Sequence, residues 1–262
     1  MTPLRRELLP ARLAALVRPL PADPWIASFR SHSSGHSAFH AAARGLLRRV
    51  VSDFDADGWL GTHPMALLGE VSWRDLIGSR RRMLDVGAGS GDVSVHARGC
   101  VGEIVTTETS APMARRLREA GFACYRVDLS RRTPPGIGRF DAVALLNVLD
   151  RCDRPRSLLW RALGLIEAGG VALVSVPLPT RPHLDAGRVT VDPDEPLGGD
   201  GDTFEGALAH LVEETLEPCG MRVERIARAA YLSRGYRDEL HELDAAIILG
   251  TPDPDVRSDA LR

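Results

Sequence analysis

The run Met83-Leu84-Asp85-Val86-Gly87-Ala88-Gly89-Ser90-Gly91-Asp92 constrains this chain most, because an apolar strand ends there in a glycine loop that must open a helix. Glycines let the backbone approach a ligand closely and take turn conformations that a side chain forbids. Gly87, Gly89 and Gly91 form G-x-G-x-G, whereas a dinucleotide fingerprint keeps G-x-G-x-x-G with its pyrophosphate at the helix N-terminus. S-adenosyl-L-methionine has no pyrophosphate to cradle. A second strand, Glu103 to Thr107, delivers Glu108 at its C-terminal end, where a carboxylate can accept hydrogen bonds from both ribose hydroxyls. A tight turn or a solvated strand end would use some of the same residues, but loop, Glu108 and Asp128 each follow a predicted strand in the right order. The expected donor site is therefore Asp85, Gly87, Ala88, Gly89, Gly91, Glu108 and Thr109, releasing S-adenosyl-L-homocysteine as product. Asp128 either addresses the adenine amine or serves as a turn and cap residue.

At 262 residues the chain suits one substantial domain plus an appendage. Its net charge is -2 and it lacks a basic stripe with interleaved aromatics, so nucleic acid is not expected as a partner. All 33 basic residues are arginine, a bias that points to genome composition rather than to chemistry. Cys100, Cys124, Cys152 and Cys219 form no C-x-x-C pair and read as thiols of a reducing compartment, with neither disulfide nor zinc expected. Arg12 interrupts the apolar N-terminal stretch and no small-residue cleavage site follows, so a cytoplasmic protein is expected. No segment approaches the roughly 20 apolar residues of a membrane span.

Along the chain, Leu4, Leu8, Leu9, Leu13, Leu16 and Val17 predict an amphipathic helix that ends at Pro19. Further helical patterns around 37 to 51 and around Trp73 complete an N-terminal helical cap over residues 1–80. Residues 81–250 then alternate strand and helix, with strands near 83–86, 103–107, 123–127, 140–145, 170–176, 221–229 and 244–249. This pattern predicts an α/β, Rossmann-like, doubly wound parallel sheet of seven strands. A Pro-, Gly- and Asp-rich insertion near 177–202 reads either as a mobile cover for a substrate or as a disordered surface excursion. Residues 251–262 read as a flexible tail.

In open α/β sheets ligands bind at the carboxyl ends of the strands, so residues after the fourth strand face the reactive centre. Here they are Leu146-Asn147-Val148-Leu149-Asp150-Arg151-Cys152-Asp153-Arg154-Pro155. This segment resembles the N-[LV]-L-D-R-C-D-x-P string of the DREV, or methyltransferase-like 9, family. The resemblance extends through Gly58-Trp59-Leu60-Gly61, the glycine loop, Thr107-Glu108, Pro177-Leu178-Pro179, Ala230-Tyr231-Leu232, the strand entry at Leu243-Asp244-Ala245, and His36-Ser37-Ala38-Phe39-His40, covering most of Phe29 to Leu249. It implies the seven-stranded class I methyltransferase fold and S-adenosylmethionine-dependent methylation of histidine in a peptide or protein. His-x-His sites and the π nitrogen are its implied targets, and a ribosomally made natural-product precursor is one possible carrier. It also places Asn147 near the donor's methyl group and Tyr231 near the target ring.

A neutral imidazole, with a pKa near 6.5, already offers a lone pair, so the enzyme's task is tautomer selection and alignment. Asp150 is the candidate acceptor on the opposite ring nitrogen, able also to stabilise the developing cation and take the departing proton. Asp150 could alternatively be a turn residue and Tyr231 a strand-end aromatic; Asp153, before Arg154-Pro155, reads as a helix N-cap. His32, His36 and His40 would line one helix face, without a further ligand to complete a metal site. A peptide enzyme needs an open acidic groove, for which Asp185, Asp192, Asp194 and Glu195 are candidates. The competing readings are a small-molecule methyltransferase closing over an apolar pocket and a non-catalytic donor-binding module.

Overall fold

A computed structural model describes residues 3–31, 43, 47, 52–61, 64–180, 184–186, 189–234 and 239–254. Its strands are β1 (Met65–Ala66), β2 (Arg80–Val86), β3 (Val101–Glu108), β4 (Ala123–Arg126), β5 (Phe140–Leu146), β6 (Ile166–Pro177), β7 (Leu184–Ala186), β8 (Val189–Val191), β9 (Met221–Arg234) and β10 (Leu240–Pro252). Eight of them form one sheet in the order β1-β9-β10-β6-β5-β2-β3-β4, and β7 pairs with β8 alone. The predicted seven strands are all present, but the count is eight because Met65 and Ala66 pair with Ser233 and Leu232 at the edge. Two residues are too few to register as alternation. The sheet is also mixed rather than parallel: β10 runs antiparallel to both β6 and β9.

The helices are α1 (Ala11–Ala14), α2 (Pro24–Ser31), α3 (Asp53–Leu60), α4 (Glu70–Ile77), α5 (Ala111–Glu119), α6 (Pro155–Gly164) and α7 (Phe204–Leu211). Strand residues alternate between two cores, as the pleat requires. Leu84, Val86, Val143, Leu145, Val174 and Ile248 meet Leu158, Leu159 and Leu163 of α6 and Leu208 and Leu211 of α7. Met83, Ala142, Ala144, Leu173 and Ile247 meet Trp73, Leu76 and Ile77 of α4 and Leu117 of α5 on the other face. The sheet is thus covered on both sides. Its free end, at the carboxyl ends of β2 to β6, is where a ligand site can form. Among the described residues, no helix is long and apolar enough to cross a membrane.

The N-terminal segment departs from expectation. The single helix predicted over Leu4 to Val17 is a short 3₁₀ turn at Arg6–Leu8 followed by α1, because Pro10 supplies no N–H to carry one helix through. Leu9, Leu13 and Val17 are buried against the α6–α7 core. Leu16 and Val17 add a bridge to β9: Ile226 N–H donates to the Leu16 carbonyl at 3.0 Å and Arg18 N–H to the Ile226 carbonyl at 2.9 Å. The Arg5 backbone and guanidinium both donate to the buried Glu205 carboxylate at 3.0 Å. Burying three apolar side chains contributes roughly 1.5–3 kcal/mol each, so packing outweighs the exposed Arg12–Glu213 and Arg12–Glu217 pairs, worth ~0–1 kcal/mol apiece. The predicted helix around 37–51, with His36 and His40, and His32 before it, lie outside the described residues apart from positions 43 and 47.

The insertion is anchored at its described C-terminal root. Glu195 accepts from the Ser157 N–H at 2.8 Å and from the Ser157 hydroxyl, so a carboxylate from the insertion caps the first turn of α6. Asp153 was the expected cap, yet its carboxylate instead accepts from the Asp194 N–H at 3.0 Å and from Arg131 at 2.7 Å. Asp194 in turn pairs with Arg154. Two of the four acids expected to form an open groove are therefore spent on holding the insertion down. The disordered-excursion reading fails for this root.

Candidate active site

The glycine loop occupies the carboxyl end of β2. Gly87, Gly89 and Gly91 have φ of 69°, 57° and 84°, in the left-handed region that favours glycine. A Cβ at Gly87 would stand 2.5 Å from Val148 Cγ2, so the loop packs directly on the segment that carries Asn147 and Asp150. Gly91 faces inward, its missing Cβ 2.9 Å from the Phe122 ring, and does not line the cleft. Beyond it the chain enters a six-residue 3₁₀ helix, Ser94–Gly99, where an α-helix was expected. Gly99 packs against Glu70 at the end of this turn, and β3 begins two residues later, leaving no room for a longer helix.

Asp85 accepts from the Ser94 hydroxyl beneath the loop. Burial pushes its pKa from 3.8 up to about 6, with a smaller upward push from Glu108 against the Ser94 bond. The folded protein therefore binds this proton more tightly than the unfolded chain, so stability rises as pH falls through about 6 and is lost on the way back up. Chemical denaturation at about pH 5 and about pH 7 should show Asp85→Asn removing ~1.3 kcal/mol of this dependence, since only about one pH unit of the window between 3.8 and 6 lies between those two conditions. An unchanged slope would mean that Asp85 stays ionised throughout.

Glu108, at the end of β3, ties the loop to the next strand. One carboxylate oxygen accepts from the Gly89 N–H at 2.9 Å; the other accepts from Thr109 and Ser110 N–H at 2.7 and 2.8 Å. Burial raises its pKa, and these three backbone bonds oppose the rise. Oε1 also accepts from the Thr109 hydroxyl at 3.4 Å, whereas Oε2 takes only the Gly89 bond and so keeps acceptor capacity in a residue that lines the cleft. Asp128 accepts from the Ser130 N–H and hydroxyl at 2.9 and 2.6 Å while lining the cleft, so its turn role is realised and its cleft position retained.

These groups open into a cleft of about 560 Å³, within the range of small-molecule sites. Gly87, Ala88, Gly89, Thr109, Asn147 and Tyr231 all line it. Asn147 ends β5 with φ of 51°, the left-handed region that asparagine tolerates better than other side chains. The Ser175 hydroxyl donates to its Oδ1, which leaves the amide N–H groups for the cleft. Tyr231, on β9, is buried and donates to Met65 Sδ at 2.9 Å; burial raises its pKa, keeping the phenol protonated at neutral pH. Asp150 is buried in the turn Leu149–Arg151 and is not part of the cleft lining. Its carboxylate is 3.5 Å from the Arg151 guanidinium, and its charge reaches Tyr231, where it acts to raise the phenol pKa. Cys152 also lines the cleft, but burial pushes its thiol up to about 12, so it offers no thiolate.

Three charged lining residues carried no expectation: Asp55, Asp92 and Arg151. Asp55 accepts from the Ser110 hydroxyl at 2.5 Å and stands in the first turn of α3, which Ser52 caps through the Asp55 N–H. The only sequence signal was the Ser52-x-x-Asp55 capping spacing. Asp92, part of the glycine loop, accepts from the Met65 N–H at 3.3 Å and so joins β1 to the loop.

The model of DREV methyltransferases matches residues 9–252. This chain belongs to the DREV methyltransferase family. Among solved structures, one concerned with the conversion of a disulfide bond into a thioacetal group during echinomycin biosynthesis shares the fold. Its TM-score is 0.50 at 17% identity, covering 70% of this chain and 81% of that one. The N-methyltransferase NodS from Bradyrhizobium japonicum, in complex with S-adenosyl-L-homocysteine, has a TM-score of 0.44 at 11% identity, covering 68% and 80%. The DREV family is one of S-adenosylmethionine-dependent methyltransferases, and the cleft fits that donor. Among the described residues, six carboxylates (Asp55, Asp85, Asp92, Glu108, Asp128, Asp153) and one guanidinium (Arg151) line it. That balance suits a cationic sulfonium and ammonium and opposes a pyrophosphate.

Proposed function

We propose that this DREV-family methyltransferase methylates a histidine side chain of a peptide or protein, at the π nitrogen of His-x-His-like sites. The observation that carries the reading is a protonated phenol and an amide in the cleft lining, with a buried carboxylate behind them and a protonated Cys152 thiol beside them. An acceptor that arrives neutral and leaves cationic needs this set, which offers orientation and negative potential rather than a strong base.

When bound, S-adenosylmethionine supplies an electrophilic methyl group. Glu108 and the loop amides would hold its ribose end, and Asp128 its adenine. Tyr231, fixed by Met65, packs the target ring; Asn147 offers N–H donors to a carbonyl or carboxylate beside it. Asp150, buried beside the cleft lining and 3.5 Å from Arg151, supplies negative charge in a low-dielectric turn that favours the cationic ring the transfer produces. Charge stabilisation of this kind contributes roughly 10²–10⁴ in rate.

Mass spectrometry of a His-x-His peptide and its His→Ala variants, after incubation with the protein and S-adenosylmethionine, tests the reading. One added methyl group localised to histidine is the expected result. Absence of transfer, with donor binding shown separately, would move the assignment to a small-molecule acceptor.

A further inference from the structure

β10 begins beyond the end of its neighbour β6. It pairs with β9 from Leu240 onward, but with β6 only from Ala245, which faces Pro177. One more bond follows, from the Leu178 N–H to the Asp244 carbonyl at 3.0 Å. There the chain leaves the edge: Pro179 has no N–H, and the Thr180 N–H donates to the Gly199 carbonyl at 2.7 Å. The lane that β6 would occupy beside residues 240–243 therefore has no neighbour among the described residues.

Antiparallel pairing alternates the direction in which backbone groups point. Because Asp244 points its carbonyl at the β6 lane, Glu242 and Leu240 point their N–H and C=O groups the same way. Residues 239–243 are all exposed, with Leu240 at 37% and Leu243 at 51%. A long exposed edge is normally blunted or covered, since it templates pairing with another chain.

The position of this edge names its occupant. On one side of this lane lies β10, whose Leu243 is the cross-strand partner of Tyr231. On the other side lies the end of β5, where Asn147 N–H donates to the Ser175 carbonyl of β6 at 2.9 Å. An extended chain in this lane runs between Tyr231 and Asn147, the two residues at the acceptor end of the cleft.

We infer that the polypeptide substrate docks by strand addition, pairing its backbone with Leu240 and Glu242 in the lane beyond Pro177. The inference rests on the peptide reading of function and deepens it. Side chains of an added strand alternate between faces, so every second substrate residue projects onto the face shared by Leu243 and Tyr231. Backbone pairing then supplies affinity, and the cleft needs to read one side chain only.

The test is a scan of the methylated peptide, each residue in turn carrying a backbone N-methyl group, with KM and kcat measured on the wild-type protein. The expected result is a period of two: alternate positions near the target histidine raise KM about tenfold or more, the positions between them leave it within twofold, and kcat holds throughout. Glu242→Pro, which removes an edge N–H, should raise peptide KM about tenfold while donor affinity is unchanged. A flat scan with methylation intact overturns the docking mode alone. Failure of the unmodified peptide to be methylated overturns the reading of function, and this inference with it. Sedimentation showing a dimer that Glu242→Pro dissociates would give the edge to a second copy of the chain, also overturning the inference.

Discussion

Asp150→Asn is expected to lower kcat by roughly 10²–10⁴ while donor affinity stays within about twofold. The substitution keeps the shape of a side chain buried in the turn Leu149–Arg151 and removes its charge. Asp150 is absent from the cleft lining, so the donor loses no contact. The acceptor ring loses the negative potential that also reaches the Tyr231 phenol. Fold stability should hold, because a buried carboxylate is costly to ionise and the amide relieves that cost. Single-turnover rates at saturating donor, with calorimetric donor binding alongside, separate the terms. A rate within threefold of wild type would reduce Asp150 to a turn residue.

Glu108→Ala should show the opposite balance. Three N–H groups, from Gly89, Thr109 and Ser110, lose their acceptor, and the glycine loop loses its tie to β3. Donor affinity is expected to fall about 100-fold, equivalent to ~2.7 kcal/mol, with kcat at saturating donor changed by less than about tenfold. The loss of stability without donor should be smaller than three orphaned amides suggest, since the cleft admits water and the burial cost of the carboxylate disappears with it. Calorimetry and the donor-induced rise in Tm measure both parts. Donor affinity indifferent to the substitution would remove Glu108 from the donor site.

Gly87, Glu108, Asp128 and Asn147 were legible because a parallel sheet brings strand ends to one rim, so residues spread over sixty positions need only be found after strands. Asp55 was not, because it reaches the cleft through the packing of α3 on α5: a Cβ at Gly58 would stand 2.9 Å from Pro112. No local pattern encodes that contact. Arg151 sat in plain view inside the Leu149-Asp150-Arg151 string, but only the fold shows it between a buried carboxylate and the cleft. The acids of the insertion misled for a related reason. Composition cannot tell a solvated Glu195 from one that caps a helix 38 residues away in sequence.

The N-terminal segment has a temporal consequence. Arg5 and Glu205 are 200 residues apart, and Leu16 meets Ile226, so this segment docks on a helix and a strand that are made long after it. At ~5–20 residues per second, the ribosome spends on the order of 10–40 s on the chain between them. Throughout that interval Leu9, Leu13 and Val17 lack the α7 and β9 part of their core. This segment is thus a closing step of folding, a latch that engages only after the strand it fastens has been made.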